Sequence, residues 1–331
     1  MTKARVQSIA YYFPNDVLDN ETLAGQFPTW SAEKIKSKTG IQQRHIVSKN
    51  ECASDLAYHA VMRLFETGAC QPGCVEFILL CTQSPDYFLP TTACILQDRL
   101  GISTTAGALD FNLGCSGYIY GLSLAKGLIE TGQVNNVLLI TTETYSKYLK
   151  DDDLGTRTVF GDAATATFIN SGVDGGHTGI EFGPFVFGTD GSGQENLIVR
   201  EGASKSPSSN LKNLFMNGPE IFSFTIKSVP KAVEDLLTKA HLCIDDIDYF
   251  IFHQANKYML DHLRDKINIP KNRFYIDLEN SGNTVSSTIP IALKDALSKN
   301  IIKVGDKIML VGFGVGYSWA ACLMQLCEIH T

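Results

Sequence analysis

One arrangement occurs twice in this chain of 331 residues, and it constrains the fold more than any local propensity does. In the first copy an apolar run over 76–81 leads through a helical pattern to a second strand, which closes on Phe111-Asn112-Leu113-Gly114-Cys115. An uncharged helix and an apolar strand over 136–140 follow. In the second copy the strands fall at 248–252, 274–277 and 307–311, and Gly282-Asn283 stands where Gly114-Cys115 stands in the first. The first charged residue after Cys115 is Lys126 and the first after Asn283 is Lys294, the same interval of 11 residues. A helix uncharged over about three turns has no face suited to water and is expected to be buried on all sides. Short apolar strands alternating with helices describe an α/β fold with largely parallel sheets. Two halves, 1–172 and 173–331, are expected, because single cores usually stop growing near about 250–300 residues. Ser171 to Asn217, rich in Gly, Ser and Asn with turn signals at Asp174-Gly175-Gly176 and Asp190-Gly191-Ser192-Gly193, reads as an irregular connection with a few strands.

Charge and cysteine usage exclude several classes. A net charge of -7 and a pI near 5.5 argue against a nucleic-acid binder, whose affinity rests on clustered Lys and Arg. Nine cysteines form an odd set without a CxxC pair, so neither a disulfide framework nor a zinc site is expected, and a reducing cytoplasm is the expected compartment. No stretch approaches the roughly 20 apolar residues of a membrane span. Gly312-Phe313-Gly314-Val315-Gly316-Tyr317 lacks the helix-opening GxGxxG context of a dinucleotide loop. It reads better as a glycine turn that delivers a backbone N–H to a reacting carbonyl.

Three polar residues end strands at matching places. Cys115 lies where a strand yields to a helix, and the unpaired N–H groups of a helix start favour thiolate. An inert core cysteine is the bland reading, and it suits the other eight. His253 follows the apolar strand ending in Ile251-Phe252, at the sheet edge where α/β folds bind ligands. By itself it reads equally well as a satisfied buried histidine. Asn283 has a carboxamide able to donate to an oxyanion, although alone it reads as a helix cap. The conjunction of all three in a duplicated unit favours chemistry. A Cys, His, Asn order also describes papain-like peptidases, so it does not by itself choose the reaction.

The chain resembles β-ketoacyl-acyl-carrier-protein synthase III along nearly its whole length. The matching segments are Lys38-Thr39-Gly40-Ile41 with Arg44-His45-Ile46, Gly114-Cys115-Ser116-Gly117-Tyr118, Phe160-Gly161-Asp162-Ala163-Ala164, His253-Gln254-Ala255-Asn256, Gly282-Asn283-Thr284 and Gly312 through Trp319. The resemblance implies a thiolase fold of layered αβαβα structure, a homodimer, and catalysis by Cys115, His253 and Asn283. It implies an oxyanion hole from the N–H groups of Cys115 and Gly316. The reaction implied is acylation of Cys115 by an acyl thioester, followed by decarboxylative condensation with a malonyl thioester to a 3-oxoacyl product. No cofactor is implied, since acyl-CoA or an acyl-carrier thioester is the substrate. Lys38, Gly218, Asn256 and Leu89 are implied as substrate-binding residues, Leu89 by reaching across the dimer into the acyl pocket. Gln254, Lys257 and Tyr258 are implied as contacts to the acyl carrier protein.

This sequence departs from the family at the substrate entrance. Lys34 stands in place of a Trp that stacks on adenine, Leu154 in place of an Arg, Lys38 in place of another Arg, and Ser223 and Tyr258 in place of basic carrier contacts. Lys34, Lys36, Lys38 and Lys257 compose a basic face suited to an acidic carrier, and equally a solvated lysine face. The competing readings are a family relative that passes its acyl group to another carbon, oxygen or nitrogen nucleophile, a cysteine amidase or peptidase, and a non-catalytic partner subunit.

Overall fold

Burial of the two uncharged helices organises the architecture. The computed structural model describes residues 3–172, 178–206 and 213–328. The expected turn at 174–176, and residue 173 where the second half was expected to begin, lie outside them. The first half contains β1 (Arg5–Tyr12), β2 (Asp16–Asp19), α1 (Asn20–Gln26), α2 (Ala32–Thr39), β3 (Gln43–Ile46), α3 (Ala53–Glu66) and β4 (Phe77–Cys81). It continues through α4 (Thr92–Arg99), β5 (Gly107–Phe111), α5 (Gly117–Glu130), β6 (Asn136–Glu143), α6 (Leu154–Arg157) and β7 (Ala163–Asn170). The second half contains β8 (Thr178–Thr189), β9 (Leu197–Val199), β10 (Leu214–Met216), α7 (Gly218–Ala240), β11 (Tyr249–Phe252) and α8 (Lys257–Ile267). It ends with β12 (Phe274–Tyr275), α9 (Thr288–Ser298), β13 (Lys307–Gly314) and β14 (Ser318–Glu328).

The duplication extends to strand order. The first half runs β1-β7-β6-β4-β5 and the second β8-β14-β13-β11-β12. In each, four strands run in one sense, three of them paired parallel, and one, β7 or β14, runs against its two neighbours. The halves join through a short β1–β8 pairing, Arg5 opposite Glu181 and Val6 opposite Ile180. Between the halves lie α5 and α9, whose Tyr118, Ile119, Leu122, Ile289, Ala292 and Leu293 pack with strands of both. Helices α3 and α4 cover the outer face of one half and α7 and α8 that of the other. The result is the αβαβα layering of the thiolase fold. Close packing of α5 needs small residues: a Cβ at Gly117 would overlap Cys81 Sγ, and one at Gly121 would press on Leu139 and Phe111. No helix among the described residues is long and apolar enough to cross a membrane.

The parallel sense expected of the sheets holds for four of the five strands in each half, with β7 and β14 running against them. One expectation needs correction. The 171–217 stretch is more than an irregular connection, because it contains β8, the 12-residue strand through which the halves meet. Its Gly183-Pro184 forms a bulge in β8 opposite Leu323 of β14, where a proline can sit without breaking a ladder. The same stretch supplies the β9–β10 hairpin.

Leu122 and Leu293 are fully buried between the sheets. We expect Leu122→Ala to lower unfolding free energy in urea by about 2–5 kcal/mol, the range for large-to-small substitution in a core; a smaller loss would mean that the layer relaxes around the gap.

Candidate active site

Three strand ends and two helix starts meet where the repeats face each other. Cys115 precedes α5 by two residues, with Ser116 as the cap, and Ser116 Oγ lies 2.7 Å from Ser318 Oγ at the start of β14. Strand β13 runs directly over this turn. A Cβ at Gly312 would lie 2.8 Å from the Cys115 carbonyl oxygen, and one at Gly314 would lie 3.0 Å from Cys115 Sγ. Glycine at 314 therefore keeps the space beside the sulfur open. Cys115 is 6% exposed, enclosed with Tyr145, Phe160, Leu197, Leu214 and Val285. Burial, reinforced by the carboxyl of Glu143, pushes its thiol well above the usual cysteine range. The expected thiolate is thus corrected to a neutral resting thiol, because desolvation outweighs the partial charge of the helix start.

His253 follows β11 and is 2% exposed, its N–H donating to the Val311 carbonyl (2.8 Å) and its ring standing edge-on to Phe313. Its Nδ1 lies 2.7 Å from Thr288 Oγ1, the first residue of α9. Burial lowers its pKa from 6.5 to about 3, so the imidazole is neutral at physiological pH. Asn283 is held from both sides by the segment Val159–Gly161: its N–H donates to Val159 O (2.9 Å) and its carbonyl accepts from Gly161 N (3.0 Å). Its side-chain Oδ1 accepts from Val285 N (2.9 Å), which leaves the Nδ2 end to donate elsewhere. Thr288 ties the groups together, since its hydroxyl also lies 3.1 Å from the carbonyl of Val285, a residue packed in the cluster around Cys115.

A cavity of about 750 Å³ adjoins this cluster and shares Tyr145, Leu197, Leu214 and Val315 with it. Gly316 lines the cavity, where an added Cβ would lie 3.0 Å from Ser318 N, whereas at Gly314 it would lie 3.0 Å from the sulfur.

Comparison with known proteins reads directly onto this geometry. Residues 109–191 and 237–326 match the families described as 3-oxoacyl-[acyl-carrier-protein (ACP)] synthase III and its C terminal. A β-ketoacyl-[acyl-carrier-protein] synthase III of Clostridium perfringens is 38% identical, covering 98% of this chain and 100% of its own. A crystal structure of a 3-oxoacyl-(acyl-carrier-protein) synthase III superposes with TM-score 0.94 at 50% identity, over 98% of this chain and 99% of the other. A 3-oxoacyl-(acyl-carrier-protein) synthase from Burkholderia xenovorans LB400 superposes with TM-score 0.90 at 33% identity, over 98% of this chain and 94% of the other. The chain belongs to the β-ketoacyl-acyl-carrier-protein synthase III family.

Several segments that carried the resemblance in the sequence act as braces in the structure. Arg44 is fully buried and its guanidinium donates to Leu18 O, Asn20 Oδ1 and Thr158 O, joining the β2–β3 ribbon to the segment that holds Asn283. Asp162, also fully buried, accepts from Val47 N (2.8 Å) and Ser146 N (2.9 Å). A Cβ at Gly161 would meet the Ser281 carbonyl 2.6 Å away. Gln254, expected as a carrier contact, is corrected to the same class. It is 1% exposed, and its carboxamide accepts from Asp277 N (2.8 Å) and donates to Phe252 O (2.6 Å), so its polar ends are consumed inside the protein.

None of the remaining predicted residues is among those lining the cavity. Lys38 is exposed on α2, and Lys257, paired with Asp261, opens α8, where its stem packs against Gly40. Tyr258 is exposed and stacks on His262 and Phe222. Asn256 caps α8 by accepting from Met259 N, and Gly218 is the first residue of α7. Leu89 is 85% exposed, outside a cavity that its neighbours Tyr87 and Phe88 line. Sequence reasoning missed Thr288 and Glu143, both of which look like ordinary strand or helix residues until the halves close.

His253 is depressed on folding, so its stabilisation is complete above the unfolded pKa of 6.5 and is lost as pH falls toward about 3. Between pH 6.5 and 4.5 the wild type should lose stability relative to His253→Gln by about 1.4 kcal/mol per pH unit, read by urea unfolding at stepped pH. A constant difference would show that the imidazole is not buried uncharged.

Proposed function

We propose that this chain is a condensing enzyme that joins an acyl group carried on Cys115 to a malonyl thioester, releasing carbon dioxide and a 3-oxoacyl product. The observation that carries the reading is that Cys115 packs in one cluster with Val285, two residues past Asn283, while a Cβ at Gly314 of β13 would lie 3.0 Å from its sulfur and Thr288 joins the neutral His253 to Val285. In the first step the sulfur attacks the thioester carbonyl, its proton leaving with the displaced thiol. N–H groups of Cys115 and of the Gly314–Gly316 turn face the developing oxyanion. In the second step the malonyl group loses carbon dioxide, and its carbon attacks the acyl carbonyl. Asn283 Nδ2 and His253 Nε2 donate to the enolate oxygen, and Cys115 leaves and regains a proton. No cofactor enters; acyl-CoA or an acyl-carrier thioester supplies the acyl group.

For this role His253 needs its proton on Nε2. The Thr288 hydroxyl has one proton and two acceptors, His253 Nδ1 at 2.7 Å and Val285 O at 3.1 Å. The hydroxyl donates to Val285 O in the resting protein; in this reading it turns to donate to Nδ1, which leaves Nε2 as the protonated nitrogen. We take the carrier protein to dock on the face where α2 meets α8, which gathers Lys34, Lys36, Lys38, Lys257 and Tyr258. Lys36 and Lys257 already pair with Glu279 and Asp261 there, so the carrier would have to compete for them. A second copy of the chain would cover Tyr87, Phe88 and Leu89, which are more than half exposed, and place Leu89 at its acyl pocket.

Intact-protein mass measurement after mixing with acyl-CoA and acyl-carrier thioesters, then with malonyl-carrier, tests the reading. Wild type should gain the acyl mass and lose it on malonyl addition with release of a 3-oxoacyl product; Cys115→Ala should gain nothing. Asn283→Ala should still acylate, while condensation falls by about 10²–10³-fold, or about 2.7–4 kcal/mol. A variant unable to acylate would contradict the division of roles. Thr288→Val should slow condensation by at least about tenfold, the lower end for a misoriented donor. Thr288→Ser should keep it; equal rates for both would remove the hydroxyl from the mechanism.

A further inference from the structure

A buried carboxyl that the two steps above do not use lies at the junction of the repeats. Glu143 ends β6 and is fully buried. Its oxygens accept from Gln83 N (3.2 and 3.1 Å) and from Ser84 Oγ (3.0 Å), on the loop after β4. On its other side Ser286 Oγ, three residues past Asn283 and 143 residues away in sequence, lies 3.2 Å from Oε1. Both contacts reach toward the reacting groups. The Gln83 carboxamide occupies the space a Cβ at Gly114 would need and accepts from the Tyr145 hydroxyl. Ser286 follows Val285, a β-branched residue held at φ +56°, in the left-handed region. Such a backbone persists only where its surroundings over-determine it.

We propose that Glu143 is a positioning residue for condensation, clamping the Asn283 turn of one repeat to the loop beside Cys115 in the other, so that the carboxamide stands at a fixed place relative to the acyl-sulfur. The role rests on the condensing reading given above. Burial, with the charge of Asp162 adding to it, raises the carboxyl pKa to about 8, so at neutral pH the group is mostly the uncharged acid. The titratable groups around it, Cys81, Cys115, Tyr145 and Tyr148, are likewise held neutral by burial. The carboxyl accepts from Ser286 Oγ and from Gln83 N. A glutamine keeps both contacts, its oxygen accepting from Gln83 N and its nitrogen donating to a turned Ser286 hydroxyl, whereas an alanine keeps neither.

The test separates the two chemical steps. Loading of Cys115 is followed by mass with the thioester that acylates wild type, and discharge of the isolated acyl-enzyme is timed with malonyl-carrier. Glu143→Ala should slow discharge at least about tenfold more than loading, the scale expected when a catalytic group is displaced by a fraction of an ångström. Glu143→Gln should restore discharge to within about threefold of wild type, because the clamp survives without the charge. Ser286→Ala cuts the clamp on one side with little loss of volume, so it serves should the alanine variant at 143 not fold. It should shift the same ratio in the same direction. Equal slowing of both steps, no slowing of discharge, or a glutamine variant as impaired as the alanine variant would each overturn the role; the last would indicate a proton acceptor instead. Wild type that loads but never condenses would overturn the functional reading itself, and this role with it.

Discussion

The structure depends on burying α5 and α9 between the two halves. Helix α5 carries no charge before Lys126 and α9 none before Lys294, and packing them together between two sheets buries Tyr118, Ile119, Leu122, Ile289, Ala292 and Leu293, while Leu124 of α5 stays 44% exposed. Helix starts and strand ends from both repeats then come to the same place. Cys115 packs in one cluster with Val285, two residues past Asn283, because their helices share one layer, although 170 positions separate Cys115 from Val285 in the chain.

That burial also sets the electrostatics. A charge in this layer loses its hydration, and the groups respond by remaining uncharged: the thiol rises, the imidazole falls and the Glu143 carboxyl rises. The site holds neutral donors and acceptors in fixed orientation. Such an arrangement suits a reaction whose negative charge appears only transiently on oxygen, because donors that need not reorganise stabilise it most. A nucleophile ionised at rest would cost more in this layer than the helix start returns.

Many residues of the shared segments hold the machinery rather than act in it. Arg44, Asp162 and Gly161 fix the segment to which Asn283 pairs, and Gln254 braces the turn after His253. Two hydroxyls, Ser116 with Ser318 and Thr288 with His253, tie the helix starts to the second repeat. A fully buried polar residue whose bonds are all internal cannot also meet a partner protein, and this decides against Gln254 as a carrier contact.

The repeat of polar strand end, uncharged helix and apolar strand was legible in the sequence, because burial forces a composition that no other environment tolerates. Cys115, His253 and Asn283 were legible for the same reason, standing out as polar residues at the edges of apolar runs. Strand β8 was not, since its Gly183-Pro184 carries the signature of a turn and only pairing with β1 and β14 makes it a strand. The protonation state of the thiol, the partner of His253 and the clamp at Glu143 were decided by tertiary structure alone. Each depends on how much water is excluded and on which distant side chain arrives, and neither quantity is written in local residue order.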